Sequence, residues 1–334
     1  MRYFVMEFGK PDVTLTGYLH DISPELPNGD ARPGVLIFPG GGYLMCSDRE
    51  AEPVALAFMA EGYQAFVLRY SVGQDMPFDE SFDDAKRALH YLKENSAGLQ
   101  LLPDQIAVAG FSAGGHLAAS LGVLGEEKPS AMILGYPVIH PKFNQLLGKS
   151  TPPIAGAVNK STPPAYIFTT CTDETVPVEN SLDLASALDR AGVPFELHIF
   201  PSGQHGLSLA KPYTSGGKRI MVEPRVQEWI TECCQWLREL WGDPDLSNDD
   251  PGLGMTRHEI GIDTPVTLLM EREDTRQAVL SVFPPLEEML AQSPSAGTYS
   301  FAVMNRFSPE VVSDELLGQI AAALKGLGES GEEL

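Results

Sequence analysis

Runs of unbroken apolar residues alternate along the chain with segments whose apolar positions recur every three or four residues. RPGVLIFPG (32–40) is a short β-branched run closed by glycine, and REAEPVALAFMAEG (49–62) carries apolar residues at helical spacing. YQAFVLRY (63–70) predicts a strand, SFDDAKRALHYLKENSAGL (81–99) an amphipathic helix, QIAVAGF (105–111) a strand and SAGGHLAASLGVLG (112–125) a helix. SAMILGYP (130–137) and PPAYIFTTCTD (163–173) read as strands, VENSLDLASALDRAG (178–192) as a helix, PFELHIFPSG (194–203) as a strand and 222–240 as a closing helix. Strands apolar on both faces, alternating with helices, predict a mostly parallel sheet covered on both sides. The stretch up to Leu19 adds antiparallel strands at one edge. Residues 1–242 are therefore expected to form a doubly wound α/β domain.

WGDPDLSNDDPGLG breaks this alternation with Pro, Gly, Asp and Asn, so a linker is expected at 243–255. Helical spacing returns in 264–283 and 311–327, which predicts a small all-α appendage over 256–334 with a frayed acidic end, GESGEEL. From Asp243 onward lie 17 of the 45 acidic residues but 5 of the 23 basic ones, so about half of the net charge of −22 sits in the last quarter of the chain. Such a surface repels phosphate backbones and anionic lipid, which argues against nucleic-acid and membrane partners. A homo-oligomer through the appendage stays open. No apolar stretch reaches the roughly 18 residues of a membrane span, and MRYFVMEFGKPDV reads as an opening strand rather than a signal peptide. The four cysteines form no CxxC pair, so neither a metal site nor a disulfide framework is expected, and reduced thiols in the cytoplasm fit best.

The chemistry gathers at GFSAG (110–114), a G-x-S-x-G at a strand-to-helix junction. Gly110 and Gly114 give the room a sharp turn needs, and the turn lifts Ser112 over the sheet in front of a helix N-terminus. A serine here could also be only an N-cap. Three further features favour the catalytic reading. PGGGY (39–43) lets backbone N–H groups of Gly41 and Gly42, with that of Ala113, converge on a developing oxyanion. Asp173, in TTCTDETVP, follows a strand end and can hold a histidine, although it can also form a turn. His205, in FPSGQHGLSLA, sits in a glycine-flanked loop after the last strand. Serine, acid and histidine in that chain order form a nucleophile, orienting acid and base. Other candidates rank lower: His116 reads as packed, His198 lies in a strand, Asp83 and Asp84 suit a helix first turn, Asp75 and Asp104 are loop residues, Glu174 is the reserve acid, and Cys171 is at no elbow.

PGGGY, RY (69–70), GFSAGGHLA, DETVPVENS and GVPFELHIFPSGQHGLSLA resemble the bacterial α/β-hydrolase esterases related to acetyl-xylan and feruloyl esterases, kin of the hormone-sensitive-lipase-like group. The resemblance spans roughly 30–240 and implies hydrolysis of short acyl, chiefly acetyl, esters on carbohydrates such as xylo-oligosaccharides, with no cofactor and no metal. One departure is Pro39, which stands where the lipase-like H-G-G-G pattern has histidine; backbone donors do not depend on that side chain. The short segment 138–162 is expected to be a small flap beside the site, suited to short acyl chains. The appendage resembles a helical module at the C-terminus of some sugar-active bacterial hydrolases. Two rival readings are a peptidase or amidase on the same fold and a non-catalytic binding module.

Overall fold

The computed structural model describes residues 1–140, 142, 149–242, 260–325 and 327. The linker expected at 243–255 and the acidic end lie outside the described residues, as does part of the expected flap. The chain divides into two compact units, Met1–Leu246 and Ser247–Leu334.

The first unit is built on eight strands: β1 (Arg2–Glu7), β2 (Thr14–Leu19), β3 (Arg32–Phe38), β4 (Gln64–Arg69), β5 (Leu101–Phe111), β6 (Ala131–Gly135), β7 (Ala165–Thr170) and β8 (Phe195–Phe200). They lie in the order β1-β2-β4-β3-β5-β6-β7-β8. β1 and β2 pair antiparallel, and so do β2 and β4; every pair from β4 to β8 is parallel. The unbroken apolar strands have a simple cause. Successive side chains point to opposite faces, and here both faces are covered. Leu36, Phe38, Val108 and Leu134 pack under helices Phe78–Glu94, Ala113–Leu124 and Glu179–Ala191. Their neighbours Val35, Ile37, Ala107 and Ile133 pack under Glu52–Ala60 and Trp229–Trp241. Burying each Val, Leu, Ile or Phe side chain among them contributes roughly 1.5–3 kcal/mol. Trp229 closes the second face by stacking on Phe168, with ring centroids 4.6 Å apart.

Several helix boundaries differ from the sequence reading: the segment expected over 49–62 is α-helical over Glu52–Ala60, and the one expected over 81–99 divides into Phe78–Glu94 and Ser96–Leu99. The helix expected to start at Ser81 starts at Phe78, behind the extended Pro77, so Asp79 and Glu80 occupy its first turn. Asp84 is no dipole partner. It is fully buried, accepts the Ser71 N–H at 2.8 Å, and pairs with Lys10 at 3.0 Å. The closing helix expected over 222–240 is α-helical only from Trp229 to Trp241, after single turns at Arg219–Met221 and Val226–Glu228. Pro224 lies inside the expected span and disfavours helical backbone at Glu223, so no helix runs on from 222.

The described part of the second unit is helices joined by turns, with one isolated antiparallel bridge between Pro265 and Ser300. Val266, Leu269, Val279, Leu286, Phe301, Met304, Ile320 and Leu324 form its core. The helix expected over 264–283 is two, Val266–Glu271 and Glu273–Val282, divided at the extended Arg272. Thr275 is buried at this break and turns its hydroxyl back onto the Leu269 carbonyl. Leu286–Gln292 and Phe301–Phe307 are further helices, and Asp314–Leu324 is capped by Ser313, whose side chain accepts the Leu316 N–H. No helix among the described residues is long and apolar enough to cross a membrane.

Candidate active site

The carboxyl ends of β3, β5, β7 and β8 deliver PGGGY, Ser112, Asp173 and His205 to one rim of the sheet. Ligand sites of parallel sheets form at that rim.

Ser112 has φ 54° and ψ −116°, a backbone strained by roughly 1–3 kcal/mol. Backbone hydrogen bonds pin it there: its N–H donates to Gly135 at 3.0 Å, and its carbonyl accepts from His116 at 3.0 Å. The flanking glycines are sterically required. A Cβ on Gly110 would stand 2.1 Å from the Gly114 carbonyl oxygen, and one on Gly114 would stand 2.0 Å from that of Phe38. The Ser112 side chain makes no cap hydrogen bond to the helix it precedes. Its Oγ lies 2.7 Å from His205 Nε2 instead. The N-cap alternative therefore does not describe this serine.

His205 Nδ1 lies 2.7 Å from Asp173 Oδ2. The carboxylate can only accept, so Nδ1 carries the proton and Nε2 is left to accept from the serine hydroxyl. Asp173 is both things the sequence allowed. Oδ2 faces the histidine, while Oδ1 accepts the N–H groups of Thr175 at 2.9 Å and Val176 at 2.8 Å. Its side chain is 1% exposed against 19% for His205, so solvent competes little for the ring. Tyr136 meets the His205 ring edge to face, with centroids 5.2 Å apart.

Gly41 and Gly42 have φ of 132° and 64°, backbone that glycine alone adopts readily. Tyr70 holds this loop from behind, its hydroxyl donating to the Pro39 carbonyl at 2.6 Å. Gly41 and Gly42 share a cavity of about 390 Å³ with Ser112, His205, Gly206, Met45, Ser47, Arg49, Glu50 and Thr175. Ala113 opens the helix behind Ser112, where backbone N–H groups lack intrahelical acceptors. Four of the six site residues expected from sequence, Gly41, Gly42, Ser112 and His205, line this cavity; Asp173 meets it through His205, and Ala113 follows Ser112 at the start of its helix. Sequence reasoning missed Arg49, Glu50 and Thr175. The first two open an apolar-periodic segment and look like an ordinary solvated helix start.

The remaining candidates lie elsewhere. His198 sits between Glu196 and Glu232 on the edge strand β8. Glu174 and Cys171 are exposed beside Asp173. His140, Glu179 and Asp183 could together hold a cation, their ligand atoms lying within 4.8 Å of one another; Lys142 already pairs with Glu179 there. His116 is buried, with Nδ1 2.8 Å from the Tyr43 hydroxyl, and burial pulls its pKa down to about 3. The unfolded chain then binds a proton below about pH 6.5 that the folded chain refuses. Stability should rise with pH between about 3 and 6.5, at up to about 1.4 kcal/mol per pH unit from this residue. His116→Gln should flatten that part of the profile in urea titrations at pH 7, 6, 5 and 4. An unchanged acid slope would refute the assignment.

Residues 21–134 match the BD-FAE family, and residues 140–235 match the prolyl oligopeptidase family. The crystal structure of MGS-M1, an α/β hydrolase enzyme from a Medee basin deep-sea metagenome library, is 44% identical. Its match covers 72% of this chain and 98% of that one, with a TM-score of 0.68. The chain belongs to the α/β-hydrolase family. This α/β hydrolase is also 35% identical to the acetyl ester-xyloside bifunctional hydrolase of Caldicellulosiruptor lactoaceticus, over 70% of this chain and 91% of that one, with a TM-score of 0.59. An acetylxylan esterase of Xylanibacter ruminicola is 31% identical over 211 residues, 56% of this chain and 42% of that protein. The hydrolase spans less than half the length of the curated relatives it matches.

Proposed function

We propose that the protein is a serine carboxylesterase that removes short acyl groups, acetyl above all, from carbohydrate alcohols. The observation that carries the reading is the pair of contacts from Ser112 Oγ to His205 Nε2 and from His205 Nδ1 to Asp173 Oδ2, both 2.7 Å, at the wall of a cavity that Gly41 and Gly42 share. Ser112 Oγ attacks the ester carbonyl while His205 Nε2 takes its proton. Asp173 keeps the ring in the competent tautomer and stabilises the imidazolium. The N–H groups of Gly41, Gly42 and Ala113 receive the tetrahedral oxyanion; losing one such donor costs roughly 3–4 kcal/mol of barrier. His205 then returns the proton to the leaving alcohol, and water, activated by the same nitrogen, releases the acid from Ser112.

The acetyl and sugar parts of the reading are supported by the acetylxylan esterase and the acetyl ester-xyloside hydrolase among its relatives. Turnover is expected to be fastest for acetyl esters and to fall along a p-nitrophenyl series from acetate to octanoate, with acetate released from acetylated xylo-oligosaccharides. Rates that climb with chain length, or xylo-oligosaccharides left acetylated, would count against it. The prolyl oligopeptidase match over 140–235 favours a second reading, amide cleavage by the same residues. An aminoacyl p-nitroanilide turned over faster than the acetyl ester would establish it.

A further inference from the structure

Glu50 is a carboxylate only 2% exposed in the wall of the candidate active site. Burying such a group is expensive unless its oxygens are hydrogen-bonded, and the partners of these two oxygens are informative. Oε2 accepts the N–H of Gly40, the first glycine of the oxyanion loop, at 2.8 Å. Oε1 accepts the Tyr136 hydroxyl at 2.7 Å. That hydroxyl in turn accepts the N–H of Ser208 at 2.8 Å, three residues beyond His205. Arg49, on the same short turn (Asp48–Glu50), reaches the same loop, its Nη1 donating to the Gly206 carbonyl at 2.8 Å. Its own carbonyl accepts the Ser208 hydroxyl at 2.5 Å.

One turn thus grips the oxyanion loop with one hand and the histidine loop with the other. The fit is close: a Cβ on Gly40 would stand 2.7 Å from Glu50 Oε2 and 2.6 Å from the Phe111 carbonyl, the residue before Ser112. Tyr136 and Ser208 also hold positive φ, 38° and 55°, in residues that disfavour it. Such strain persists only where surrounding bonds over-determine it, and it clusters where geometry matters for function.

We infer that Glu50 is a positioning residue: through Gly40 and Tyr136 it sets the spacing between the oxyanion donors and His205. This rests on the proposed role of Ser112. Glu50 touches neither the nucleophile nor the base by hydrogen bond, so its effect passes through the two loops. Two donors, the Gly40 N–H and the Tyr136 O–H, point at the carboxylate. Glutamine can accept only one of them, and its amide must face the other with hydrogens. Tyr136→Phe keeps the ring against His205 and removes the hydroxyl that joins Glu50 to Ser208.

The test compares parent, Glu50→Gln, Tyr136→Phe and the double variant with p-nitrophenyl acetate, well below each Tm. Displacement of donors or base by a fraction of an ångström to an ångström should lower kcat about 10- to 100-fold with KM changed less than about threefold. The double variant should be no worse than the slower single one, because both break one chain of bonds. A kcat within about twofold of the parent in both single variants, with only Tm lowered, would overturn the inference and reduce Glu50 to a core carboxylate. So would multiplying losses in the double variant. A fluorophosphonate probe on Ser112 separates this from the underlying reading. Parent protein that neither takes the probe nor turns over the ester overturns both; a labelled, active parent beside fully active variants overturns the positioning role alone.

Discussion

Ser112→Ala is expected to lower kcat for p-nitrophenyl acetate by about 10⁴- to 10⁶-fold while leaving Tm within a few degrees of the parent. The asymmetry follows from what the side chain does. Its Cβ is retained by alanine, and the backbone at φ 54° is held by hydrogen bonds to Gly135 and His116 that do not involve the hydroxyl. Only Oγ is lost, along with its contact to His205 Nε2 at 2.7 Å. That atom is the one that would form the acyl bond. The variant keeps its cavity and the backbone N–H groups proposed as oxyanion donors, so a residual rate above the uncatalysed one should remain. Fluorophosphonate labelling of the parent at Ser112, and its absence in the variant, reads the same atom without substrate. A variant retaining more than about a tenth of parental turnover would show that the nucleophile lies elsewhere.

What the sequence discloses and what it hides divide along a physical line. The sheet is legible because both of its faces are buried, so Val35 to Phe38 and Ile106 to Phe111 are apolar without interruption. Ser112 is legible because the elbow can be built only with glycine at 110 and 114, a constraint local in the chain. Asp173 and His205 are legible because each directly follows a readable strand. Glu50 is not. Its burial depends on Gly40, Phe111 and Tyr136, which other strands bring, the last of them 86 residues away. No local pattern distinguishes Arg49–Glu50 from a solvated helix start. Asp84 fails for the same reason, since its partners Ser71 and Lys10 come from other elements. The break at Arg272 escapes notice because Val266, Leu269 and Val279 keep a spacing that one helix or two could satisfy.

Asp173→Asn is expected to cost about 10⁴-fold in kcat, again with little change in Tm. Here the two oxygens separate structure from chemistry. The asparagine carbonyl can still accept the Thr175 and Val176 N–H groups that fold the turn, now served by Oδ1 at 2.9 Å and 2.8 Å. The amide nitrogen must then face His205. An NH₂ donates where the carboxylate accepted, so Nδ1 of the ring becomes an acceptor and the ring proton moves to Nε2. That nitrogen now presents a hydrogen to Ser112 Oγ and has no lone pair with which to take the serine proton. The imidazolium also loses the anion beside it, in a pocket where Asp173 is 1% exposed and water is a poor substitute. Steady-state kinetics with a thermal melt on the same sample decide the matter. A loss of less than about tenfold would mean that Asp173 holds its turn and nothing more, and that exposed Glu174 would have to swing in as the acid.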